Sequence, residues 1–442
     1  MKICMFLTNP VTNDPRVRRE AASLAKAGYD VVVIGLRKDD QDLSEERLDG
    51  YRVVRIAHQG LLALRIRSMK ERILYHLAEI SPSFYRLLRF CYRGIGLSPR
   101  THSQLIGEPQ PSEPTDASAQ AVRHHLWTDV VTIAGALYLN VAFAKQGWRE
   151  RADVYHAHDL DTLAAAFFAS TLSRTQFVYD FHELYTEQFS PGDKSWLWLG
   201  WYSLLERLLA KRAHLRLTVC DSLGNWLKDK YHVRSVLTVR NVPTLQTPHP
   251  TILKRKTPAD RVILYHGLYF KNRGLEQLIK ASLYLKHGRI VLRGYGYLEE
   301  DLRRLVSHHG LSDRVTFAPP VNMTDLVKNA AEADIGVGAF VPTALNTRFA
   351  LPNKLFEYMM AGLAVVGTDL PEMRKIILGH QIGCVCKPDD PEDLARALNE
   401  LLEQGELLEQ MKRNALTAAR TVYNWDVEQQ VLLKAYEELR AA

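Results

Sequence analysis

The chain has 442 residues, 46% hydrophobic and 24% charged, a composition typical of a soluble globular protein of roughly two or three domains. This excludes a disordered polymer and a disulfide mini-scaffold. The five cysteines are odd in number and lack zinc or redox spacing, the first ten residues carry no export signal, and the net charge of +7 favours a polyanionic partner.

The first predicted elements alternate in type. KICMFLT predicts a strand, RVRREAASLAKAG predicts a helix that ends at Gly28, and DVVVIGL predicts a buried strand, which together form a βαβ unit. The alternation resumes at DVYHAHD and continues to VRNVP, and a second series begins at RVILYHG. We therefore predict an α/β protein with two doubly wound, Rossmann-like parallel sheets.

The irregular segment TLQTPHPTILKRKTPAD predicts a linker and therefore the domain limits. We predict an N-terminal domain over residues 1–243, a linker over 244–260, a C-terminal domain over 261–415, and a C-terminal helix over 416–442 that packs back on the N-terminal domain. A cleft is expected beside the linker.

A mainly helical insertion, about residues 60–150, interrupts the first sheet. Residues 61–105 within it contain eight Arg or Lys against two acidic residues, a net charge of +6, so most of the excess charge is local. Apolar residues lie between these cations, so this stretch is either an anchor for an anionic membrane surface or a solvated helical subdomain. Residues 130–143 are too few to span a bilayer and predict a buried helix.

Ligands of parallel sheets bind beyond the carboxyl ends of the strands, so we looked there for candidate residues. After the first strand, Asn13 and Asp14 either cap the next helix or, with Arg16, form an anion-binding loop at its N-terminus. His158 and His182 follow two later strands, each beside carboxylates. A metal site, an acid–base pair and loop polarity are the alternatives, and hydrogen bonding to a polyhydroxylated substrate without a metal fits best.

The second series offers cations at two strand ends. Lys271 and Arg273 precede Gly274 at a predicted helix start, which suits a phosphate, although a solvated turn is the alternative. In PNKLFEYMMAG, Pro352 begins a helix and Lys354 lies in its first turn, where a cation opposes the helix dipole unless an anion binds there.

The order and spacing of these segments resemble the retaining glycosyltransferases of family 4, with the GT-B fold, in a PNKLFEY-type sub-branch. The resemblance rests on NDPRVRREAASLAKAGYDV, DVYHAHD, VYDFHELY, GLYFKNRGLEQLIKA and PNKLFEYMMAGLAVVGTD, and excludes the insertion. It implies two Rossmann-like domains facing a cleft, and transfer of a sugar from a nucleoside diphosphate with retention of configuration. Neither a cofactor nor a metal ion is expected.

The resemblance also implies roles for individual residues. Arg273 would grip the donor diphosphate, Glu357 would hold the ribose hydroxyls, and His182 would reach the donor sugar and its phosphate. Backbone near Val321 would meet the base, and the remaining donor-binding candidates are Lys271, Pro352 and Asn353.

Two positions depart from the family pattern. Leu268 occupies the place of a diphosphate-binding Arg, and Phe349 replaces a Glu that contacts donor-sugar hydroxyls. Lys354 is the nearest substitute for the missing cation. For the chemistry, one alternative is double displacement with a carboxylate nucleophile, for which Glu183 is a candidate unless it orients His182. The other is same-face transfer with catalytic His182, Arg273 and Lys354, in which the cations stabilise the leaving diphosphate.

We therefore predict a glycosyltransferase that uses a UDP- or GDP-sugar and a glycan or lipid-linked acceptor in cell-envelope or exopolysaccharide synthesis. The expected location is cytoplasmic, and the enzyme would be peripheral at the inner face of the membrane if the basic stretch binds it. A catalytically silent GT-B protein that binds a nucleotide or glycan is the alternative. Nucleic acid is not an expected partner, because the basic stretch lacks stacking aromatics and groove-reading motifs.

Overall fold

The computed structural model describes residues 1–12, 14–37, 43–57, 116–188, 194–245 and 257–441, and for residues 116–127 only the course of the helix. The basic stretch 61–105, Asn13 and most of the predicted linker lie outside the described residues.

The N-terminal half contains an eight-stranded sheet. Its strands are β1 (Lys2–Phe6), β2 (Asp30–Arg37), β3 (Glu45–Leu48), β4 (Tyr51–Ala57), β5 (Val154–His158), β6 (Gln176–Phe181), β7 (Leu215–Thr218) and β8 (Leu237–Thr238). They follow the order β3-β4-β2-β1-β5-β6-β7-β8, and all neighbours are parallel except β3 and β4. The central strands are apolar and buried, as expected of a sheet covered on both faces.

Helices connect these strands. They are α1 (Pro15–Lys26), α2 (Asp116–Glu150), α3 (Leu160–Ser173), α4 (Trp196–Ala210) and α5 (Asp221–Tyr231). The start of α1 has a local cause: Asp14 accepts a hydrogen bond from the Val17 N–H through its side chain, and Pro15 occupies the first helical position.

The C-terminal half contains a six-stranded, fully parallel sheet. Its strands are β9 (Val262–Leu268), β10 (Arg289–Tyr295), β11 (Val315–Ala318), β12 (Ile335–Gly338), β13 (Ala364–Thr368) and β14 (Gly383–Cys386). They follow the order β11-β10-β9-β12-β13-β14. The prediction of two doubly wound parallel sheets is confirmed.

The helices of this half lie between and after these strands. They are α6 (Leu275–Ala281), α7 (Glu299–His308), α8 (Leu326–Ala330), α9 (Leu345–Arg348), α10 (Asn353–Met360), α11 (Pro371–Gly379), α12 (Pro391–Glu403), α13 (Gly405–Thr421) and α14 (Trp425–Ala441). Short 3₁₀ helices occupy Pro258–Asp260, Ser282–Tyr284 and Met323–Asp325.

The last helix, α14, packs on the N-terminal domain. The Trp425 indole N–H donates to Ser23 Oγ of α1 at 2.8 Å, and Arg240 pairs with Glu428 at 2.9 Å. Tyr436 is fully buried, and its hydroxyl lies 2.7 Å from His156 Nδ1 of β5. One apolar cluster therefore continues from the N-terminal sheet to the C-terminal domain through Trp425 and Tyr436.

Helix α2 contains residues 130–143, and the prediction that this segment is buried is only half right. Its inner face packs against α3, where the Asn140 side chain donates to the Asp161 carbonyl at 2.8 Å and accepts from the Ala165 N–H at 2.9 Å. Tyr138 and Val141 on the other face are exposed by 46% and 61%. No helix among the described residues is both long and apolar enough to cross a membrane.

Candidate active site

The two sheets meet at the loops that follow their strands. The Leu184 N–H after β6 donates to Asn346 Oδ1 of α9 at 2.9 Å, and the Ser222 N–H of α5 donates to Glu372 Oε1 of α11 at 2.7 Å. The carboxyl ends of β5 and β6 therefore face those of β9 and β12 across a cleft, which is where parallel sheets bind ligands.

Two cations occupy the C-terminal side of this cleft. The Arg273 guanidinium carbon lies 5.1 Å from the centre of the Phe340 ring, and Lys354 Nζ lies 5.6 Å from the same ring. Lys354 Nζ also lies 3.6 Å from the centre of the Tyr265 ring, a cation–π contact. Among the described residues, no carboxylate lies within ion-pair distance of either cation. Two unneutralised cations beside one cleft are suited to an anion such as a diphosphate.

The backbone explains why Arg273 lies beside Phe340. Gly274 has a φ of 71° and caps α6, and a Cβ there would lie 1.7 Å from the Ala339 carbonyl oxygen. Only glycine allows this approach, so the turn that carries Arg273 packs directly against the end of β12.

The two cations also influence each other. Burial lowers the pKa of Lys354 well below its ordinary value, and the Arg273 charge lowers it further, while Glu357 acts in the opposite direction. A second positive charge at this place is therefore costly until an anion arrives.

Glu357 lies one helical turn after Lys354 on α10 and pairs with a histidine. Its Oε2 is 2.7 Å from His266 Nε2 of β9, and the His266 N–H donates to the Tyr358 hydroxyl at 3.1 Å. Burial opposes the charged form, yet the His266 hydrogen bond and charge lower the pKa of Glu357 below its usual value. The Glu357 side chain is 20% exposed, so it is not fully enclosed by the protein.

The other donor-side candidates lie around these groups. Lys271 is exposed, and its N–H donates to the Tyr297 hydroxyl at 3.1 Å. Pro352 is the N-cap residue of α10 and Asn353 is its exposed first residue. Val321 follows the edge strand β11 and is half-buried. The ligand contacts expected of these four residues stay predictions.

The N-terminal side of the cleft is built around His182. Its Nε2 lies 3.0 Å from Asp180 Oδ2 and its Nδ1 lies 3.1 Å from Asp159 Oδ2. Burial disfavours the charged ring, but the two carboxylates raise the pKa of His182 well above its ordinary value. The two carboxylates therefore favour the imidazolium form of the ring, and both of its nitrogens are engaged, so the ring has a positive charge rather than an unoccupied nitrogen to offer the cleft.

Arg16 lies behind this ring, where the sequence had suggested an anion-binding loop. Its Nε and Nη2 donate to the two Asp180 oxygens at 2.8 and 2.9 Å, and its Nη1 donates to the Val239 carbonyl at 2.6 Å. The side chain is 3% exposed. Arg16 is thus neutralised inside the domain, and we correct its expected role from ligand binding to positioning of Asp180.

Of the two alternatives for Asp14, the structure shows the helix cap, and it changes the expectation for His158 at the end of β5. Asp14 caps α1 and accepts from the Asn9 side chain at 3.1 Å, so its carboxylate is already engaged. His158 has no exposed side-chain surface; its ring stacks on His156 with centroids 4.1 Å apart, and its Nδ1 lies 3.2 Å from His182 Nε2. His158 therefore supports the His182 ring and does not reach a ligand.

Four buried side chains near Asp180 could in principle share a metal ion. Glu20, His156, His158 and Asp180 each offer one ligand atom, and these atoms lie within 4.8 Å of one another. Arg16 Nε, however, lies 3.0 Å from Glu20 and 2.8 Å from Asp180, so both carboxylates already face a cation. A divalent ion would bring more buried positive charge against Arg16, and we assign this group a positioning role.

Two further charged residues near the site, Asp161 and Arg19, have no role predicted from the sequence. Asp161 accepts a hydrogen bond from the Thr8 hydroxyl, and burial together with the Asp159 charge raises the pKa of Asp161 to about 7. Arg19 of α1 donates to Asn241, and its charge lowers the pKa of Glu357 across the domain boundary. Asp161 lies three residues after the end of β5, which was the available signal for it, whereas Arg19 had no signal beyond the helical pattern.

A cleft between two doubly wound parallel sheets, with cations on one side and a histidine–carboxylate network on the other, is the GT-B architecture. Family profiles agree with it. Residues 14–241 match the glycosyl transferase 4-like domain and residues 252–417 match the glycosyl transferases group 1. The chain therefore belongs to the family-4-type glycosyltransferases with the GT-B fold, and the predicted family is confirmed.

Individual relatives are distant. The chain is 27% identical over 191 residues to an alpha-D-kanosaminyltransferase of Streptomyces kanamyceticus, a match that covers 40% of the chain and 46% of that relative. The chain thus spans about half the length of that protein. It is 24% identical over 298 residues to a phosphatidyl-myo-inositol mannosyltransferase of Mycobacterium tuberculosis, covering 64% and 73%.

A solved structure with a similar fold is that of HepE of Anabaena in complex with UDP. Its TM-score is 0.64 at 14% identity, and the match covers 99% of the chain and 100% of that protein. This likeness supports the fold over the whole length of the chain.

Proposed function

We propose that the protein is a retaining glycosyltransferase that transfers a sugar from a nucleoside diphosphate, UDP or GDP, to a glycan or lipid-linked acceptor. The observation that carries the proposal is the pair of basic side chains, Arg273 and Lys354, on the Phe340 side of the cleft, for which no carboxylate partner is seen among the described residues. They suit the diphosphate of a nucleotide sugar, and Glu357 nearby suits ribose hydroxyls. The solved complex of a protein of similar fold with UDP agrees with such a donor.

In the proposed reaction the bond between the anomeric carbon and the diphosphate oxygen breaks while a bond to the acceptor oxygen forms on the same face. The acceptor proton moves to the leaving phosphate oxygen, so no protein base is required. Arg273 and Lys354 stabilise the negative charge that grows on the diphosphate, which is the largest contribution expected of fixed charges in a water-excluding site. These two cations supply the charge, so we expect no requirement for a metal ion.

His182 completes the charge distribution from the opposite side. Held between Asp159 and Asp180, its imidazolium cannot reorient without losing both contacts, so its positive charge stays at the edge of the cleft. In the proposed complex it faces the donor phosphate and the sugar attached to it.

The acceptor half of the proposal rests on different support. The basic stretch of residues 61–105 favours an anionic membrane surface, and one relative is by name a phosphatidyl-myo-inositol mannosyltransferase. We therefore propose a cytoplasmic enzyme, peripheral at the inner face of the membrane, that acts in cell-envelope or exopolysaccharide synthesis.

The test combines ligand binding with sugar release. Thermal stability is measured with UDP, GDP and their common sugar derivatives, because a ligand that binds the folded state raises the stability by RT ln(1 + [L]/Kd). The stabilising nucleotide sugar is then incubated with the protein with and without EDTA and with polyprenyl-diphosphate-linked acceptors. We expect sugar transfer to the acceptor both with and without EDTA. We also expect the product to keep the anomeric configuration of the donor.

A silent nucleotide-binding protein is the second candidate, because Phe349 and Leu268 occupy positions where the family resemblance implies donor contacts. Binding of a nucleotide sugar without release of its sugar under any acceptor condition would establish that candidate and overturn the enzyme proposal.

A further inference from the structure

The segment that carries Phe349 belongs to the C-terminal domain but packs on the N-terminal one. Phe349 and Leu351 lie partly buried against the apolar cluster of the N-terminal domain that includes Trp198 and Cys220. The Phe349 carbonyl lies 3.6 Å from Cys220 Sγ. The aromatic ring at position 349 thus stabilises the contact between the domains and has no polar group to offer a sugar.

Asn346, three residues earlier, makes a three-point contact across the cleft. Its amide nitrogen donates to Glu183 Oε2 at 3.2 Å, its amide oxygen accepts from the Leu184 N–H at 2.9 Å, and its own backbone N–H donates to the Glu187 carbonyl at 3.2 Å. This contact determines where the Glu183 carboxylate points. Among the described residues, Asn346 is the one hydrogen-bond donor to that carboxylate.

Glu183 lies between the two halves of the site. It directly follows His182, and the charges of both His182 and Arg273 act on its carboxyl group. Burial and the Asp159 charge raise the pKa of Glu183, while Asn346, His182 and Arg273 lower it. The residue is half-buried. Glu183 therefore lies close enough to both His182 and Arg273 to feel their charges.

We propose that Glu183, oriented by Asn346, is a binding residue for hydroxyl groups of the donor sugar. A carboxylate accepts hydrogen bonds from two hydroxyls at once, and the Asn346 amide keeps one oxygen in place. This inference deepens the proposed function and rests on it: the carboxylate that position 349 lacks is supplied from the opposite domain. Because the donor sugar then touches both domains, its binding depends on the closed arrangement of the cleft.

The experiment compares two affinities in each variant. Isothermal titration gives Kd for UDP and for UDP-glucose, and for GDP and GDP-mannose if the uridine pair does not bind. We expect Glu183→Ala to raise the Kd of the nucleotide sugar about tenfold, the scale of losing a hydrogen bond to a charged group, and to leave the Kd of the nucleoside diphosphate within about twofold. Asn346→Ala should also raise the Kd of the nucleotide sugar relative to that of the nucleoside diphosphate, but by less, because the Glu183 carboxylate remains and loses only its orientation.

Two further variants separate binding from folding. Glu187→Ala removes a carboxylate from the same loop, one that pairs with Lys230 at 3.4 Å, and should leave both affinities unchanged. Glu183→Gln keeps the size of the side chain and a hydrogen-bonding oxygen, and it replaces Glu183→Ala if that variant does not fold. We expect Glu183→Gln to raise the Kd of the nucleotide sugar roughly threefold and to leave the Kd of the nucleoside diphosphate unchanged.

The outcomes distinguish this inference from the proposed function. Normal binding of both ligands by the Glu183 variants, or equal weakening of both, would overturn the inference and leave the transferase proposal intact, since equal weakening indicates a contact between domains only. If no nucleoside diphosphate or nucleotide sugar binds the unaltered protein, the proposed function and this inference fall together.

Discussion

The two sides of the cleft differ in how their charges are balanced. On the N-terminal side, Arg16 and His182 are each paired with carboxylates of the same domain, so most of this charge is balanced within the protein. On the C-terminal side, Arg273 and Lys354 lie against aromatic rings with no carboxylate in ion-pair distance among the described residues. The charged groups of the N-terminal side have partners without a ligand, whereas Arg273 and Lys354 on the C-terminal side gain a partner only when an anion binds.

This difference separates positioning from binding. Paired buried charges cost several kcal/mol to disrupt but bring little net attraction for a ligand, whereas unneutralised cations gain their stabilisation when a diphosphate binds. Substitutions in the buried Arg16–Asp180 pair should therefore change the stability of the fold most, and substitutions of Arg273 and Lys354 should change turnover and affinity.

The largest effect is expected from Asp180→Asn, which removes the partner that Arg16 and His182 share. Breaking a buried pair leaves an uncompensated charge, so we expect the free energy of unfolding to fall by about 3–5 kcal/mol at neutral pH. Chemical denaturation measures this loss. Asp369→Asn, which breaks the exposed pair with Arg374, is the matched control and should change stability by less than ~1 kcal/mol. A similar change in both variants would contradict the idea that the N-terminal network is structural.

The second largest effect is expected from Arg273→Ala. This substitution should lower the rate of sugar transfer from the nucleotide sugar by at least ~100-fold, the scale of losing one fixed group that stabilises charge in the transition state. Its melting temperature should stay close to that of the unaltered protein, because Arg273 is exposed and, among the described residues, its one recorded side-chain contact is with Phe340. Steady-state turnover and a thermal melt test both statements. Lys280→Ala, at an exposed position on the adjoining helix, serves as the control, and a drop below threefold for Arg273→Ala would assign Arg273 to the solvated surface.

Glu357→Gln should have a smaller effect, mainly on KM. The proposed partners of Glu357 are ribose hydroxyls, which are present equally in the ground state and the transition state, so the loss falls on binding. We expect KM for the nucleotide sugar to rise about tenfold with kcat within about threefold, measured from initial rates. A large fall in kcat at unchanged KM would instead involve Glu357 in the chemistry.

The smallest effect is a change in protonation at Lys354. Burial and Arg273 lower the pKa of Lys354 in the unliganded protein, and a bound diphosphate raises it again, so binding takes up a proton at pH values between the lowered pKa and the pKa of the complex. The uptake, up to about one proton per site, is obtained from calorimetric binding enthalpies in buffers of different ionisation enthalpy, measured at a series of pH values below the ordinary pKa of a lysine. Lys354→Arg keeps the charge but not the titration and should abolish the uptake; proton release on binding would contradict the proposed site.

Local patterns in the sequence were enough for several parts of this site. The strand–helix alternation predicted both sheets, because buried parallel strands are apolar throughout and surface helices are not. Gly274 and Pro352 predicted two helix starts, since their backbone preferences act on neighbouring residues alone. Arg273 and Lys354 were therefore assigned to strand ends at the cleft before any distance was known, although their contact with a ligand stays a prediction.

The pairing of charges could not be obtained in that way. Arg16 is 164 residues from Asp180, Glu183 is 163 from Asn346 and His266 is 91 from Glu357. Such partners meet only when the sheet order and the closure of the two domains bring them together, so the expected anion-binding role of Arg16 was wrong while the location of its loop was right. The sequence determined the elements and the chemistry available at their ends, because these depend on local backbone and solvation preferences. The tertiary structure alone decided which cations are neutralised and which stay available, because a charge's partner depends on distance in space.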